Sequence, residues 1–138
     1  MKKKFLRCLV LLCVLSLVCA PIHAATYASD QLSSYEADVR HLGNGELEVL
    51  VSVFGVNRMS LIGASNIFVY QNLGNTWSIC ASVGSSYAGM TTSDSSIHDD
   101  YVYINTLEDA YLKVEVVIYA EDYSGASDSR VLTYYVYT

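Results

Sequence analysis

The fold is decided by the run YEADVRHLGNGELEVLVSV, residues 35–53. Apolar residues occupy every second position from 35 to 39 and again from 47 to 53. Alternation with a period of two predicts strands with one buried face, and an Asn44-Gly45 pair between two such runs predicts a tight hairpin. The stretch is therefore expected to form two antiparallel strands.

Further runs with strand composition follow at intervals of about ten residues. They cover residues 66–71, 76–81, 100–104, 111–120 and 131–137. The run YLKVEVVIYA at 111–120 is nearly continuous in apolar residues, as is typical of a central strand. Gly74 and Asn75 are expected to form a turn, and the Ser-rich tract from Ser82 to Ser96 is expected to be the longest loop.

Seven strands, short polar turns and no long segment with helical periodicity predict an all-β fold. The interpretation is a two-sheet antiparallel sandwich of the immunoglobulin-like or fibronectin type III-like class.

The N-terminus has the three parts of a secretory signal peptide. Four basic residues open the chain, an apolar run covers residues 8–20, and small residues follow at Ala24 and Ala25. Cleavage after Ala24 is expected, which makes residues 1–24 the signal and residues 25–138 a single domain. Cutting after Ala25 or Ala28 would fit nearly as well.

Two other interpretations of the N-terminus are weaker. The apolar run is shorter than the roughly 20 residues that a membrane-spanning helix needs. A lipoprotein signal would use Cys19, but Leu17 and Val18 are bulky where such signals have small residues.

Cleavage would change the charge and the cysteine content of the chain. Of eight basic and fourteen acidic residues, four basic and all acidic ones stay, so the net charge becomes −10. Such a surface repels nucleic acid and anionic membranes. Cys80 would be the last cysteine left, which excludes an internal disulfide. It is interpreted as a small buried apolar residue, with a reactive or intermolecular thiol as the alternative.

The string YLKVEVVIYAEDYSGASDSRVLTYYVYT, residues 111–138, resembles the last two strands of fibronectin type III-like domains. The resemblance implies a sandwich. The apolar parity of the first strand begins at Leu112, so either a bulge shifts its register or Tyr111 is not the corner tyrosine of that family. The segments YASDQLSSYEADV, LGNGELEV and IGASNIFVY, with a lone Trp and a terminal AEDYSGASDSR, look like small secreted β-sandwich proteins of unknown function from anaerobic gut Firmicutes. That resemblance implies secretion and transfers no active site.

No catalytic pattern stands out. Outside the signal, the histidines are His41 and His98, and no GxSxG nucleophile elbow is present. A pair of carboxylates could catalyse glycoside hydrolysis, and five glutamates are candidates. They alternate with apolar residues, however, so they are interpreted as the solvated face of strands. They are Glu46, Glu48, Glu108, Glu115 and Glu121. The chain is therefore expected not to be an enzyme and to carry no cofactor.

Two acidic clusters have the oxygen-rich composition that calcium prefers in flexible loops. They are Asp94, Asp99 and Asp100, and Glu121, Asp122 and Asp128 around Gly125. Neither has the spacing of an EF-hand, and charge for solubility is the alternative.

The surplus of tyrosine is the most informative feature for function. Neighbouring residues of a strand face opposite sides, so Tyr134 and Tyr135 cannot both be core. Exposed aromatic rings stack on sugars and anchor protein interfaces, although they also cover sheets through cross-strand pairs. Trp77 and Tyr70 flank one turn and are the predicted ligand-binding pair.

These observations predict a secreted, non-enzymatic binding or adhesion module for an extracellular glycan or protein. One alternative is a self-associating surface protein that pairs through an edge strand, for which the Tyr-rich run ending at Thr138 is the candidate. A small secreted hydrolase is a third hypothesis. The oligomeric state is left open.

Overall fold

The computed structural model describes residues 29–138, so the predicted signal peptide and its cleavage site at Ala24 lie outside the described residues. This part of the chain forms six strands and contains no helix that could cross a membrane. The strands are β1 (Leu32–Gly43), β2 (Glu46–Asn72), β3 (Trp77–Gly84), β4 (Thr91–Asn105), β5 (Tyr111–Glu121) and β6 (Ser127–Tyr137).

Strand β2 pairs with four of the other five strands in a single antiparallel sheet. Its first half pairs with β1 on one side and β4 on the other, and its second half pairs with β5 and β3. The pairing with β4 shifts register between Phe54 and Met59, where the direction of the sheet changes. The sheet therefore curls into a half-barrel around one core.

The core follows the period-two pattern of the strands. Residues 47, 49, 51 and 53 of β2 are fully buried, as are the even residues from Leu112 to Ala120 of β5. Strand β5 lies between β2 and β6, which confirms the prediction of a central strand. Because the alternation is strict, the odd residues of β5, beginning with Tyr111, lie on the outer face.

The predicted turns are confirmed. Asn44 and Gly45 connect β1 to β2, and both have positive φ angles of 52° and 70°, as a two-residue hairpin turn requires. The segment between β2 and β3 turns at Gly74, whose φ is 92° and whose N–H donates to Oδ1 of Asn72 at 2.7 Å. The connections of both pairs of strands are therefore set by local sequence.

The prediction of an antiparallel all-β fold is confirmed, but two details differ. The number of strands is six instead of seven, because the runs at 46–53 and 66–71 belong to one continuous strand, β2. The Ser-rich tract is mostly strand: β3 extends to Gly84 and β4 begins at Thr91, which leaves a loop of residues 85–90. Ser and Thr on these strands are half-buried or exposed, and their backbones pair with β2.

The 85–90 loop folds back against the edge of β4. Its last residue, Met90, is fully buried, and the carbonyl of Met90 accepts a hydrogen bond from the Ala64 N–H at 2.7 Å. The hydroxyl of Tyr87 donates to the carbonyl of Tyr103 at 3.0 Å. The loop thus joins the bend of β2 to the outer edge of β4.

A bulge interrupts β3 at Cys80. The pairing of β3 with β2 shifts register between Val69 and Tyr70, and Cys80 is half-buried against the core with its thiol 3.4 Å from the Val69 carbonyl. Burial raises the pKa of this thiol above its ordinary value. This environment agrees with the interpretation of Cys80 as a packing residue.

Candidate functional site

Three aromatic residues meet on the outer face of the sheet, at the end where β3 and β5 begin and β6 ends. The ring centroids of Trp77 and Tyr111 are 5.9 Å apart, those of Trp77 and Tyr135 are 5.9 Å apart, and those of Tyr111 and Tyr135 are 6.1 Å apart. The two tyrosine rings lie within 17° of parallel, and the indole is tilted against both. We call these three residues the aromatic cluster.

Strand register explains why the cluster forms. Trp77 is paired with Asn72 directly after the turn, which places it at the first position of β3. Tyr135 is paired with Lys113, so it is the diagonal neighbour of Tyr111 on the same face of β5 and β6. Three different strands therefore contribute one ring each to a single spot.

The cluster is open to solvent. Trp77 is 37% exposed, Tyr111 is 45% exposed and Tyr135 is 58% exposed. Exposed apolar side chains extend the surface along β3 and β6; they are Ile79, Val131 and Tyr137. Contiguous exposed apolar surface of this kind marks an interaction site more often than scattered single residues do.

A polar group borders the cluster. The ammonium of Lys113 lies 2.8 Å from Oε1 of Glu115, 4.2 Å from the ring centroid of Tyr70 and 5.7 Å from that of Trp77. The hydroxyl of Tyr70 donates to the other oxygen of Glu115 at 3.0 Å. The ammonium lowers the pKa of the Glu115 carboxyl, and this carboxyl raises the pKa of Tyr70 and of Lys113. The ammonium of Lys113 therefore lies between Tyr70 and Trp77, the two predicted ligand-binding residues, and its charge is neutralised by Glu115.

Sequence reasoning identified one member of the cluster and missed two. Trp77 is predicted from its place beside a turn. Tyr70, the other predicted residue, is separated from the cluster by Lys113. Tyr111 and Tyr135 share strand parity with Lys113, so their outward direction could be inferred, but their contact depends on the pairing of β5 with β6. Tyr134 is half-buried and its neighbour Tyr135 is exposed, which confirms that only one of them faces the core.

The first acidic trio is not brought together. Asp94 forms a two-point ion pair with Arg58, with both N–O distances at 2.6 Å, and also accepts from the Tyr123 hydroxyl. These partners lower the pKa of the Asp94 carboxyl, with the Arg58 hydrogen bond as the main cause. Asp99 and Asp100 lie further along β4, where Oδ1 of Asp100 accepts from the Tyr101 N–H.

The second acidic trio is engaged in turns and pairs. Oδ1 of Asp122 accepts hydrogen bonds from Ser124 and Ala126, which closes the turn between β5 and β6. Asp128 pairs with Arg130, and Glu121 accepts from the Tyr119 hydroxyl. Within residues 29–138, no group of three His, Cys, Asp or Glu side chains is arranged to hold a metal ion.

A polar cleft of about 580 Å³ lies beside the Arg58–Asp94 pair. Its walls are Val56, Asn57, Arg58, Asp94, Ser95 and Ser96. Asp94 has a positive φ of 55°, which turns β4 at this point. Local sequence patterns do not predict this cleft, because Arg58 and Asp94 are 36 residues apart.

His98 is buried, and its role in the structure is to hold the 85–90 loop. Its Nε2 is 3.0 Å from the Gly89 carbonyl and its Nδ1 is 2.9 Å from the Thr92 hydroxyl. Because a carbonyl only accepts, Nε2 carries the proton and Nδ1 accepts from Thr92. Burial lowers the pKa of His98 below its ordinary value of 6.5, although the hydrogen bond to the Gly89 carbonyl and the charges of Asp100 and Asp99 oppose the shift.

We expect the free energy of unfolding to decrease as the pH falls below 6.5, the ordinary pKa of histidine. The unfolded chain takes up the proton before the folded chain does, so stability is lost between 6.5 and the lower folded pKa. Urea midpoints measured from about pH 5 to 7.5 test this, above the range in which carboxylates titrate. His98→Gln keeps a donor for the Gly89 carbonyl and should flatten the slope. An equal slope in both proteins would contradict the assignment.

No protein-family model matches this chain. A comparison with curated proteins likewise gives no match.

Proposed function

We propose that the chain is a secreted, non-enzymatic binding module that holds a neutral carbohydrate on the aromatic cluster. The observation that carries the proposal is the mutual contact of Trp77, Tyr111 and Tyr135 on an exposed sheet face. A single ring is common on a sheet. Three rings from three strands, in contact and open to solvent, form a preorganised surface for a ligand that has an apolar face.

The chemistry of the cluster favours sugars. A pyranose ring has a C–H face that stacks on aromatic rings and hydroxyls around its rim that need hydrogen-bond partners. Tyr111 and Tyr135 each add a hydroxyl that both donates and accepts, and Trp77 adds an indole donor. Because the indole is tilted against both tyrosine rings, the three rings form an angled surface rather than one flat plane. This shape supports contact with one or two sugar units rather than with a flat crystalline surface.

Charge supports a neutral ligand. The net charge of residues 29–138 is −10, which disfavours acidic sugars and phosphates. Lys113, a cation that lies beside the cluster, is paired with Glu115. Binding is therefore expected to depend little on salt concentration, in contrast to binding of an anionic glycan.

Trp77→Ala tests the proposal. Residues 25–138 are incubated with insoluble glucans, chitin, mannan, mucin and cell-wall fragments, with and without calcium. Retention by one matrix should weaken at least about tenfold in the variant, because a central aromatic contact is typically worth 2 kcal/mol or more. Tyr101→Ala is the matched control: Tyr101 is 41% exposed on β4, away from the cluster, and its loss should change nothing.

The outcomes separate the ligand classes. Retention that Trp77→Ala removes and Tyr101→Ala keeps supports the carbohydrate site. No retention on any matrix rejects a glycan ligand and moves a protein ligand forward, for which the apolar extension through Ile79 and Val131 is the supporting feature. Retention that requires calcium would support the hypothesis that one of the two acidic clusters binds this ion.

Secretion and the finer fold class belong to this proposal. The basic and apolar N-terminus supports export, and the curled sheet around one core supports a domain related to immunoglobulin-like or fibronectin type III-like sandwiches. A cut after Ala24 predicts that the exported protein begins at Ala25, which N-terminal sequencing would identify.

A further inference from the structure

The charges of this chain are distributed very unevenly. Between Arg58 and Asp94, residues 59–93 contain no Asp, Glu, Lys, Arg or His, although the described chain has fourteen acidic and four basic residues. These 35 residues include the second half of β2, all of β3 and the 85–90 loop. These residues contribute no charged side chain to an acidic molecule, and we call their part of the sheet the uncharged side; the paired Lys113 and Glu115 of β5 border it.

Strand β3 is the edge of the sheet on this uncharged side. Among residues 29–138, β2 is the one strand that pairs with β3, so the other side of the β3 backbone has no ladder partner. Its sequence, WSICASVG, contains no charge and no proline, and Ser78, Ile79 and Ser82 are exposed. Natural proteins place lysine, proline or a covering loop at such positions to prevent strand pairing.

The other edges are protected. The 85–90 loop covers β4, where Tyr87 bonds to the carbonyl of Tyr103. Strand β1 carries charged side chains along its length, and β6 lies beside it, with the Tyr134 hydroxyl donating to the Ala37 carbonyl at 2.7 Å. Within residues 29–138, the C-terminal strand β6 also has a single ladder partner, β5, and the Tyr134 hydrogen bond joins it to β1.

We propose that β3 pairs with β3 of a second copy of this chain, antiparallel and about a two-fold axis. A copy with a charge of −10 is repelled by most of the surface, and the uncharged side is where two copies can meet without opposing carboxylates. A strand needs no complementary sequence to pair with its own copy in an antiparallel, isologous contact. The contact closes at two copies, because it uses the free edge of both.

The pairing would leave the aromatic clusters accessible. Trp77 projects from the outer face of the sheet, whereas strand addition uses backbone groups in the plane of the sheet. The dimer would therefore carry two clusters on one continuous sheet. Self-association does not depend on the carbohydrate proposal, because it is measured without any ligand.

Sedimentation velocity of residues 25–138 over a range of concentrations tests the pairing. The wild type should form dimers reversibly, and higher salt should favour them because it screens the repulsion between acidic copies. Ser82→Lys places a charged side chain on the open edge and should weaken dimerisation at least about tenfold. Ser129→Lys makes the same change on exposed Ser129 of β6 and should leave dimerisation as it is.

Amide hydrogen exchange is a second test, because a nonspecific apolar contact between copies would not slow the exchange of the β3 backbone N–H groups. Alternate N–H groups of β3 should exchange more slowly as the concentration rises, and this protection should disappear in Ser82→Lys. A wild type that stays monomeric at every concentration overturns the proposal. Dimers that Ser82→Lys leaves intact, or that form without protection of β3, overturn it as well.

Discussion

Gly63→Ala should destabilise the domain by roughly 3 to 5 kcal/mol. Gly63 lies at the bend of β2 with a φ of 140°, a backbone conformation that side chains disfavour. A Cβ at this position would lie 2.2 Å from the Met90 carbonyl oxygen and 2.9 Å from the Thr91 Cα. Both are backbone atoms, so the clash is relieved only by moving the start of β4 away from β2.

A loss of this size is a large part of the 5 to 15 kcal/mol that typically separates folded from unfolded domains. Urea unfolding followed by circular dichroism would measure it. Gly84→Ala is the matched control, because Gly84 has no positive φ and a Cβ there would meet nothing within 4 Å. That variant should stay within about 0.5 kcal/mol of the wild type. Equal stabilities of the two variants would refute the close approach at the bend.

Ile67→Ala should cost about 2 to 5 kcal/mol, the range for removing a large buried aliphatic side chain. Ile67 is fully buried in the second half of β2, between β3 and β5. Its neighbour Phe68 is half-buried on the outer face, where its ring centroid is 6.5 Å from that of Tyr70. Phe68→Ala should therefore cost only about 1 kcal/mol, although more atoms are removed.

Comparing the two variants tests which face of β2 is the core. Both are measured in urea at the same pH, and similar slopes against urea would show that the surface exposed on unfolding is unchanged. If Phe68→Ala proved the more costly, the inner and outer faces of the second half of β2 would be reversed. The aromatic cluster would then be a core feature and not a surface.

Local patterns predicted the strands better than the way they assemble. The alternation around Asn44-Gly45 predicted the first hairpin correctly, because strand period and turn chemistry are both local properties. The same patterns divided β2 into two strands, since residues 55–60 interrupt the alternation. In the structure this segment belongs to one continuous strand, and it bulges away from β4, because the ladder with β4 runs to Phe54 and resumes at Met59.

The candidate site was predicted in the same partial way. Trp77 could be identified from its place beside a turn, and the parity of β5 indicated that Tyr111 faces outward. Their meeting with Tyr135 required the pairing of β5 with β6, which no local pattern contains. Asp94 was grouped with Asp99 and Asp100 by proximity in sequence, whereas its actual partners, Arg58 and Tyr123, are 36 and 29 residues away.

The long β2 strand also determines the order in which the fold can be completed. Its first half can pair with β1 as soon as residue 55 has been made, but three later strands supply its remaining partners, the last of which ends at Glu121. Leu61 pairs with Glu121, which lies 60 residues later in the chain, and pairings between such distant residues are slow to form. The apolar row of β2 therefore stays incompletely covered until nearly the whole chain has been synthesised. The hairpin of β1 and β2 can thus form early, whereas the second half of β2 can be covered only after its later partner strands have been made.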